Sequence, residues 1–374
     1  MFLGANSPPS RRARGGYAER KNSPTSARLK SYGRNSSKNR ALERKNCVSN
    51  RVFTIWCNHD FSPQQQAERD LLIQGVGNHR LLLFDYKEDA RNGVSRQALQ
   101  SADIAFGYPD AQSVSDCEKL RWVHLHFAGY TSFDRDDLKQ TLTRRGTALT
   151  NSSAVYDEPC AQHLLAMIMA LARGLPTVLD VQRGDKSWPM LAVRSKLPLL
   201  NGQTVLILSF GAIARRLVEL LTPLKMNLIG VRRVVRGDEP IPVVPVSAVD
   251  EWLPRADHVV NILPASESTA NFLNAERLAS LKRGAIVYNI GRGTTLDQNA
   301  LMRELRGGRI AAAYLDVTEP EPLPPDHPLW ETPNCYITPH TGGGHTTEKE
   351  RQVKHFLDNL RRFEKGEALH NRIL

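Results

Sequence analysis

The chain has 374 residues, of which 41% are apolar and 24% are charged, an ordinary globular composition that is long enough for two domains. It contains no run of eighteen apolar residues, which excludes a membrane-spanning helix and predicts a soluble protein. Its five cysteines are scattered without a CxxC pair, which argues against a disulfide framework or a metal site and indicates the reducing cytoplasm.

The net charge of +11 comes from the N-terminal segment. Residues 1–51 contain thirteen Lys and Arg against two acids, whereas the rest of the chain has 37 basic and 37 acidic side chains. The segment is rich in Ser, Asn, Arg and Gly, so we predict a disordered basic tail. We favour a dispensable tail or an over-extended translation start over an organelle transit peptide or a nucleic-acid-binding arm.

From Val52 onward, short apolar runs alternate with polar stretches of helical length. The predicted strands are Val52–Cys57, Leu81–Phe84, Asp103–Gly107 and Trp122–His126, followed by 205–208, 227–231, 258–263, 285–290, 310–315 and 335–338. This alternation of strands and helices predicts α/β architecture with parallel sheets that helices cover on both faces. Two successive series predict two doubly wound parallel-sheet domains with a cleft between them.

A long apolar segment separates the two series. Residues 159–175 are apolar on nearly every side, Pro159 suits a first helical turn, and Gly174 with Pro176 suits the end of a helix. The segment is too short to cross a bilayer and too apolar to face water. We therefore predict a helix that lies in a core or in a subunit interface.

The second series begins with a strand, a tight turn and an amphipathic helix, which is the arrangement that binds a dinucleotide pyrophosphate. The turn has the pattern Ser209-x-Gly211-x-x-Ala214. Ser209 departs from the usual pattern because a glycine makes this sharp turn without steric cost. We expect Ser209, Gly211, Ala212 and Ile213 to contact the cofactor; a strand-to-helix turn without a ligand is the alternative.

Twenty-one residues after Gly211, the next strand is followed by Arg232 and Arg233. An NAD-dependent enzyme usually has an acid at this point, which accepts a hydrogen bond from the ribose 2′-hydroxyl. Guanidinium groups cannot accept that bond, but they can bind a 2′-phosphate. The pair predicts a preference for NADP over NAD, with ordinary surface arginines as the alternative.

Three segments near the C-terminus carry reactive side chains just beyond predicted strands. Arg292 follows the strand at 285–290, Asp316 and Glu321 follow the strand at 310–315, and His340 follows the last strand. Because the carboxyl ends of parallel strands form the ligand-binding edge of such a sheet, we expect these side chains to converge there.

With these segments in order, residues 52–374 resemble the D-isomer-specific 2-hydroxyacid dehydrogenase family. The resemblance extends to the HPLW element at 327–330 and the Gly-Glu-Ala-Leu segment at 366–369. It implies a flavodoxin-like substrate domain at 52–153, completed by the C-terminal helix at 341–374, and a Rossmann-type dinucleotide-binding domain at 154–340. It also implies a homodimer in which the helix at 159–175 packs across the interface.

The resemblance implies hydride transfer between NAD(P)H and the 2-carbon of a small 2-keto or 2-hydroxy acid. His340 would be the proton donor, Glu321 would hold and stabilise its imidazolium, and Arg292 would bind the substrate carboxylate. The backbone amides of residues 128–130 would receive the same carboxylate. The remaining residues it assigns are the substrate-loop residues Ala128, Gly129 and Tyr130, and the cofactor contacts Ile290, Gly291, Asp316 and Gly343.

Neighbouring activities are less favoured. Formate dehydrogenases of this superfamily have Gln where this chain has Glu321, and the 34 residues after His340 are too few for the regulatory domain of long phosphoglycerate dehydrogenases. A non-catalytic dinucleotide-binding sensor or corepressor on the same scaffold is the open alternative.

Overall fold

A computed structural model describes residues 51–84 and 93–374 of the chain. Apart from Arg51, the predicted basic tail lies outside the described residues. Two parallel sheets account for the strands of the described part.

The first sheet has strands in the order β2-β1-β3-β4-β5, all parallel. Helices alternate with these strands along the chain. The strands are β1 (Thr54–Cys57), β2 (Arg80–Leu83), β3 (Ile104–Gly107), β4 (Trp122–Leu125) and β5 (Ala148–Thr150), and the helices are α1 (Gln66–Gly75), α2 (Val94–Leu99), α3 (Ala111–Asp116) and α4 (Asp136–Arg145).

The second sheet has seven strands in the order β12-β11-β10-β9-β6-β7-β8, again all parallel. The helices before and within this region are α5 (Ser153–Ala172), α6 (Leu175–Arg183), α7 (Met190–Arg194), α8 (Ala212–Leu221), α9 (Val249–Trp252), α10 (Ala275–Ser280) and α11 (Gln298–Arg306), and α12 (Glu348–Lys365) follows it. The strands are β6 (Thr204–Leu208), β7 (Asn227–Arg232), β8 (Val243–Pro245), β9 (His258–Asn261), β10 (Ala285–Asn289), β11 (Ile310–Leu315) and β12 (Cys335–Ile337).

These strand orders confirm the predicted fold class. The first sheet has the flavodoxin-like order, and the second has the order of a dinucleotide-binding fold, whose strand order reverses between β6 and β9. Both sheets read as continuous apolar runs because helices cover both of their faces. Strands β5 and β8 were not predicted, because they have three residues each and are too short for a periodic pattern.

Helix α12 returns to the first sheet at the end of the chain. Its residues Phe356, Leu357 and Leu360 share a buried cluster with residues of β1, β3 and β4. The Phe356 ring stacks on Phe106 with centroids 4.2 Å apart and on Trp122 at 5.3 Å. Helix α5 packs instead in a cluster with β6 and α8 of the second sheet. The predicted domain boundaries at 153 and 340 stay a prediction.

The predicted bounds of the long apolar helix are wrong. Helix α5 begins at Ser153, so Pro159 lies inside it, and it ends at Ala172. Pro159 has no backbone N–H, so the hydrogen bond from position 159 to the Val155 carbonyl is absent. The helix continues past this point with one hydrogen bond fewer. Leu175 belongs to α6, which is bent by 69° from α5. Among the described residues, no single helix is long and apolar enough to cross a membrane.

Three histidines, His59, His124 and His126, are buried on the first sheet. No described residue hydrogen-bonds either ring nitrogen of His59 or Nδ1 of His126; the two rings lie 4.7 Å apart. His124 Nδ1 is 2.7 Å from the Thr150 hydroxyl. Burial lowers the pKa of His59 and His124 well below its ordinary value and lowers the pKa of His126 to about 3, and the charge of Lys349 acts in the same direction on His59 and His126.

We expect the protein to lose stability in mild acid because of these rings. The unfolded chain takes up protons on them below pH 6.5, whereas the folded protein does not. The free energy of unfolding should therefore fall as the pH decreases below 6.5, by about 1.4 kcal/mol per pH unit for each ring. Replacing His59 by Phe, which keeps an aromatic ring beside Phe61 and Phe106, should remove one ring's share of this slope.

Urea unfolding at pH 5.5, 7.5 and 8.5 measures this difference. Between pH 7.5 and 8.5 the wild type and His59→Phe should differ by a constant amount, which serves as the internal control. An equal decrease for both proteins between pH 7.5 and 5.5 would contradict the prediction.

Candidate active site

Three neighbouring strands of the second sheet each end in a residue singled out by the sequence. Strands β10, β11 and β12 lie side by side, and they are followed by Arg292, Asp316 and His340 respectively. The parallel arrangement therefore brings the three side chains to one edge of the sheet, as predicted from their positions after strands. Glu321 lies in the connection between β11 and β12.

His340 and Glu321 form a hydrogen-bonded pair that is open to solvent. Nδ1 of His340 bonds to Oε1 of Glu321, and the two side chains are 47% and 39% exposed. A carboxylate on one ring nitrogen selects the tautomer and leaves Nε2 for exchange of a proton with a bound molecule. The pair can thus act as a general acid or base.

A buried carboxylate holds the loop that carries His340. Asp316 is 2% exposed. Its Oδ1 accepts hydrogen bonds from the Thr338 hydroxyl at 2.6 Å and the Thr341 N–H at 2.9 Å, and its Oδ2 accepts one from the Gly342 N–H at 2.9 Å. The backbone of His340 also donates to the Asp316 carbonyl at 2.9 Å. In this structure Asp316 positions the loop; a contact between Asp316 and the cofactor stays a prediction.

A cavity of about 140 Å³ joins the loop after β4 to the edge of the second sheet. The loop contributes Ala128, Gly129 and Tyr130, all three predicted for substrate. The second sheet contributes predicted residues to the opposite wall of the cavity. These are Ile213 at the start of α8 together with Ile290, Gly291 and Arg292 after β10.

The Arg292 guanidinium lies against the glycine of the substrate loop. Its Nη1 donates to the Gly291 carbonyl at 2.6 Å, and its Nη2 occupies the space that a Cβ on Gly129 would fill. Within residues 51–84 and 93–374, no carboxylate forms an ion pair with Arg292, so its charge is available to an anion in the cavity. Asn151 donates to the Ala128 carbonyl at 2.6 Å and holds the loop in place.

The turn after β6 has the geometry expected of a dinucleotide turn, with one strained residue. Gly211 is the N-cap of α8, where it provides no side chain to bond the first N–H groups of the helix, and the position that a Cβ would occupy is open space. Those N–H groups can therefore receive an anion. Ser209 has a φ of +82°, a backbone conformation that L-residues other than glycine rarely adopt.

Replacing Ser209 by Gly should stabilise the protein by about 1 kcal/mol, because glycine adopts this φ without steric cost. Ser209→Ala, which retains the Cβ, is the matched control and should bring no gain. Urea unfolding monitored by fluorescence measures both changes. A glycine variant that is no more stable than the alanine variant would show that the turn is not strained.

The remaining predicted cofactor residues lie apart from the cavity wall. Arg232 ends β7 and is paired with Glu239, with Nη1 and Oε1 2.9 Å apart. Arg233 is exposed, and no ion pair to it occurs in the described ranges of the chain. Gly343 packs against Tyr156 of α5, where a Cβ would be 3.0 Å from the ring.

Several residues that shape the site were not predicted. Residues 262–265 line the cavity after β9, and their position at the end of the strand predicted at 258–263 was a usable signal. Asn151 follows the short strand β5, which itself escaped prediction. The Thr338 hydroxyl donates a hydrogen bond to Asp316. The two residues follow the neighbouring strands β12 and β11, so only the folded sheet brings them together.

Comparison with known proteins gives one consistent result. The family model of the D-isomer specific 2-hydroxyacid dehydrogenase NAD-binding domain matches residues 165–342. A glyoxylate reductase of Korarchaeum cryptofilum is 32% identical over 263 residues, which cover 69% of this chain and 77% of the relative.

Two crystal structures extend the likeness beyond the range of the family model. A D-isomer specific 2-hydroxyacid dehydrogenase family protein from Aeromonas salmonicida is 28% identical with a TM-score of 0.69, covering 87% of this chain and 99% of its own. A D-isomer specific 2-hydroxyacid dehydrogenase from Xanthobacter autotrophicus Py2, solved with NADPH and MES, is 25% identical with a TM-score of 0.71, covering 86% and 98%.

Proposed function

The chain belongs to the D-isomer specific 2-hydroxyacid dehydrogenase family, and on this premise we propose that it reduces a small 2-keto acid to the D-2-hydroxy acid. The observation that carries the proposal is the His340–Glu321 pair at the same sheet edge as Arg292. Glyoxylate and hydroxypyruvate are the first substrates to test, since several relatives, the Korarchaeum protein among them, bear the name glyoxylate reductase.

The turn at 209–214 fits a dinucleotide. Its uncapped helix start can receive the pyrophosphate, and the cavity beside Ile213 lies where the strand order reverses between β6 and β9. When bound there, the nicotinamide supplies the hydride. The residues that would hold it are Ser209, Gly211, Ala212, Ile213, Ile290 and Gly291.

The protein's own side chains deal with the charge that the reaction creates. Arg292 binds the substrate carboxylate and polarises the neighbouring carbonyl, assisted by the backbone amides of residues 128–130. His340 gives a proton to the carbonyl oxygen, on which negative charge develops. Glu321 keeps the ring in the required tautomer and stabilises the imidazolium before transfer.

We expect His340→Ala and Arg292→Ala each to lower turnover by about a hundredfold or more, because each removes a group that acts in the transition state. Glu321→Gln should lower it less, since the ring keeps a hydrogen-bond partner without the charge. The assay follows the cofactor's absorbance at 340 nm with glyoxylate or hydroxypyruvate. His345→Gln, a histidine beyond the site loop, is the control.

The outcomes separate the hypotheses. Near wild-type turnover by His340→Ala would refute the assigned mechanism. Cofactor binding by the wild type without turnover of any 2-keto acid would favour the alternative of a non-catalytic sensor or corepressor.

We further propose that the cofactor is NADPH in preference to NADH. Strand β7 ends without an acid for the ribose 2′-hydroxyl and is followed by Arg233, an exposed guanidinium that can bind a 2′-phosphate. The related Xanthobacter enzyme was solved with NADPH. Arg232 contributes less than its position suggests, because it is already paired with Glu239.

We also propose a homodimer, with the outer side of α5 and the segment after it in the interface. This region exposes many large apolar side chains: Met169, Leu175, Leu179, Trp188, Met190, Leu191 and Leu199. Trp188 is 89% exposed and Leu191 is 74% exposed in the single chain. A concentration of exposed large apolar side chains in one segment of a chain is typical of a subunit interface. A cytoplasmic location stays a prediction; the four described cysteines are free thiols.

Light scattering should give twice the mass of the chain for the wild type. Leu191→Glu should shift the protein to a monomer, because a carboxylate would be buried without a partner. Val94→Glu, at an exposed apolar residue of α2 on the first sheet, is the matched control and should leave the dimer intact. A monomeric wild type, or a dimeric Leu191→Glu, would rule out this interface.

A further inference from the structure

The turn after β7 folds one of its own carboxylates onto Arg232. Glu239 Oε1 lies 2.9 Å from Nη1 of Arg232 and accepts the Arg236 N–H at 3.0 Å, and Oε2 accepts the Gly237 N–H at 2.8 Å. The Glu239 side chain is 3% exposed. One guanidinium and two nearby backbone N–H groups therefore surround a single carboxylate.

These donors form an anion-binding site. Guanidinium and successive backbone N–H groups are the groups that hold phosphate oxygens in proteins. The Arg236 N–H, with further help from the Arg232 guanidinium and the Gly237 N–H, lowers the pKa of Glu239 to about 2. The carboxylate is thus charged throughout the physiological pH range, and the donors are satisfied by the chain itself.

The position of this site in the fold gives it a consequence for the cofactor. Strand β7 follows β6 in the second sheet, and in a dinucleotide-binding fold the residues at the end of this strand would lie next to the 2′ position of a bound adenosine ribose. The donors that a 2′-phosphate near Arg232 would need are already bound to Glu239. The Glu239 carboxylate would also repel the phosphate, because both groups are negatively charged. A 2′-hydroxyl carries no charge, so the Glu239 carboxylate does not repel it.

We infer that Glu239 determines how strongly the protein discriminates NADPH from NADH, by withholding Arg232 from the 2′-phosphate. The inference deepens the proposed function and rests on it. It assigns the phosphate contact of the wild type chiefly to Arg233 and makes Glu239 an internal competitor of the phosphate. Removing its charge should free Arg232 and raise affinity for the phosphorylated cofactor alone.

The variant Glu239→Gln tests this with little change of shape, because the amide oxygen can still accept a backbone N–H. Titration by protein fluorescence should show that the Kd for NADPH falls about tenfold, the value of one charge-assisted contact, while the Kd for NADH hardly changes. The fragments adenosine 2′,5′-bisphosphate and 5′-AMP, used as competitors, should show the same split. Thermal melting confirms that the variant is folded.

Asp238→Asn is the matched control. It removes the same charge from the adjacent residue, but Asp238 faces Arg215 at 3.6 Å rather than Arg232. The ratio of the two Kd values should stay close to that of the wild type. The double variant Glu239→Gln with Arg232→Gln should lose the gain, because the freed guanidinium is the group that produces it.

Each result has a distinct meaning. An unchanged ratio in Glu239→Gln, with both cofactors bound, overturns the inference and leaves the proposed function intact. A loss of NADH affinity in the same variant also overturns it, because Glu239 would then be the acceptor of the ribose 2′-hydroxyl. Binding of neither cofactor to the folded wild type refutes the proposed function and the inference together.

Discussion

The carboxyl ends of parallel strands are the constraint on which the site depends. In a parallel sheet every strand points the same way, so the residue that follows each strand arrives at one common edge. Arg292, Asp316 and His340 are far apart along the chain but follow adjacent strands of the second sheet. The loop after β4 of the first sheet reaches the same place and closes the cavity. The chemistry thus requires two sheets whose strand ends face a shared space.

Buried carboxylates give the loops at this edge their shape. Asp316 accepts hydrogen bonds from the Thr338 hydroxyl and from two N–H groups of residues 341–342. Glu239 accepts hydrogen bonds from two N–H groups of the turn after β7. A carboxylate that accepts several such bonds holds its donors firmly. The same use of charge has opposite consequences in the two places. At Asp316 it holds the loop that carries His340, and at Glu239 it occupies the guanidinium of Arg232.

Two residues at the same edge have a strained backbone. Ser209 and His340 both have positive φ values although neither is glycine. Such conformations persist when the surrounding structure enforces them, as the bonds from Asp316 do for the His340 loop. Around Ser209 the constraint is the sharp passage from β6 into α8, which brings the helix start within reach of an anion.

The sequence by itself determined the class of the fold, most of the strands and the identity of the central side chains. Those features depend on local patterns: buried apolar runs, a glycine turn, and polar residues placed directly after strands. It did not determine the start of α5, the short strands β5 and β8, or the partners of Arg232 and Asp316. The start of α5 depends on tertiary packing that tolerates Pro159, and β5 and β8 are held by their neighbours in the sheet. The charge available at Arg232 depends on whether a carboxylate seven residues away folds back onto it, and only the tertiary structure decides this, because hydrogen bonds with the turn backbone select that conformation.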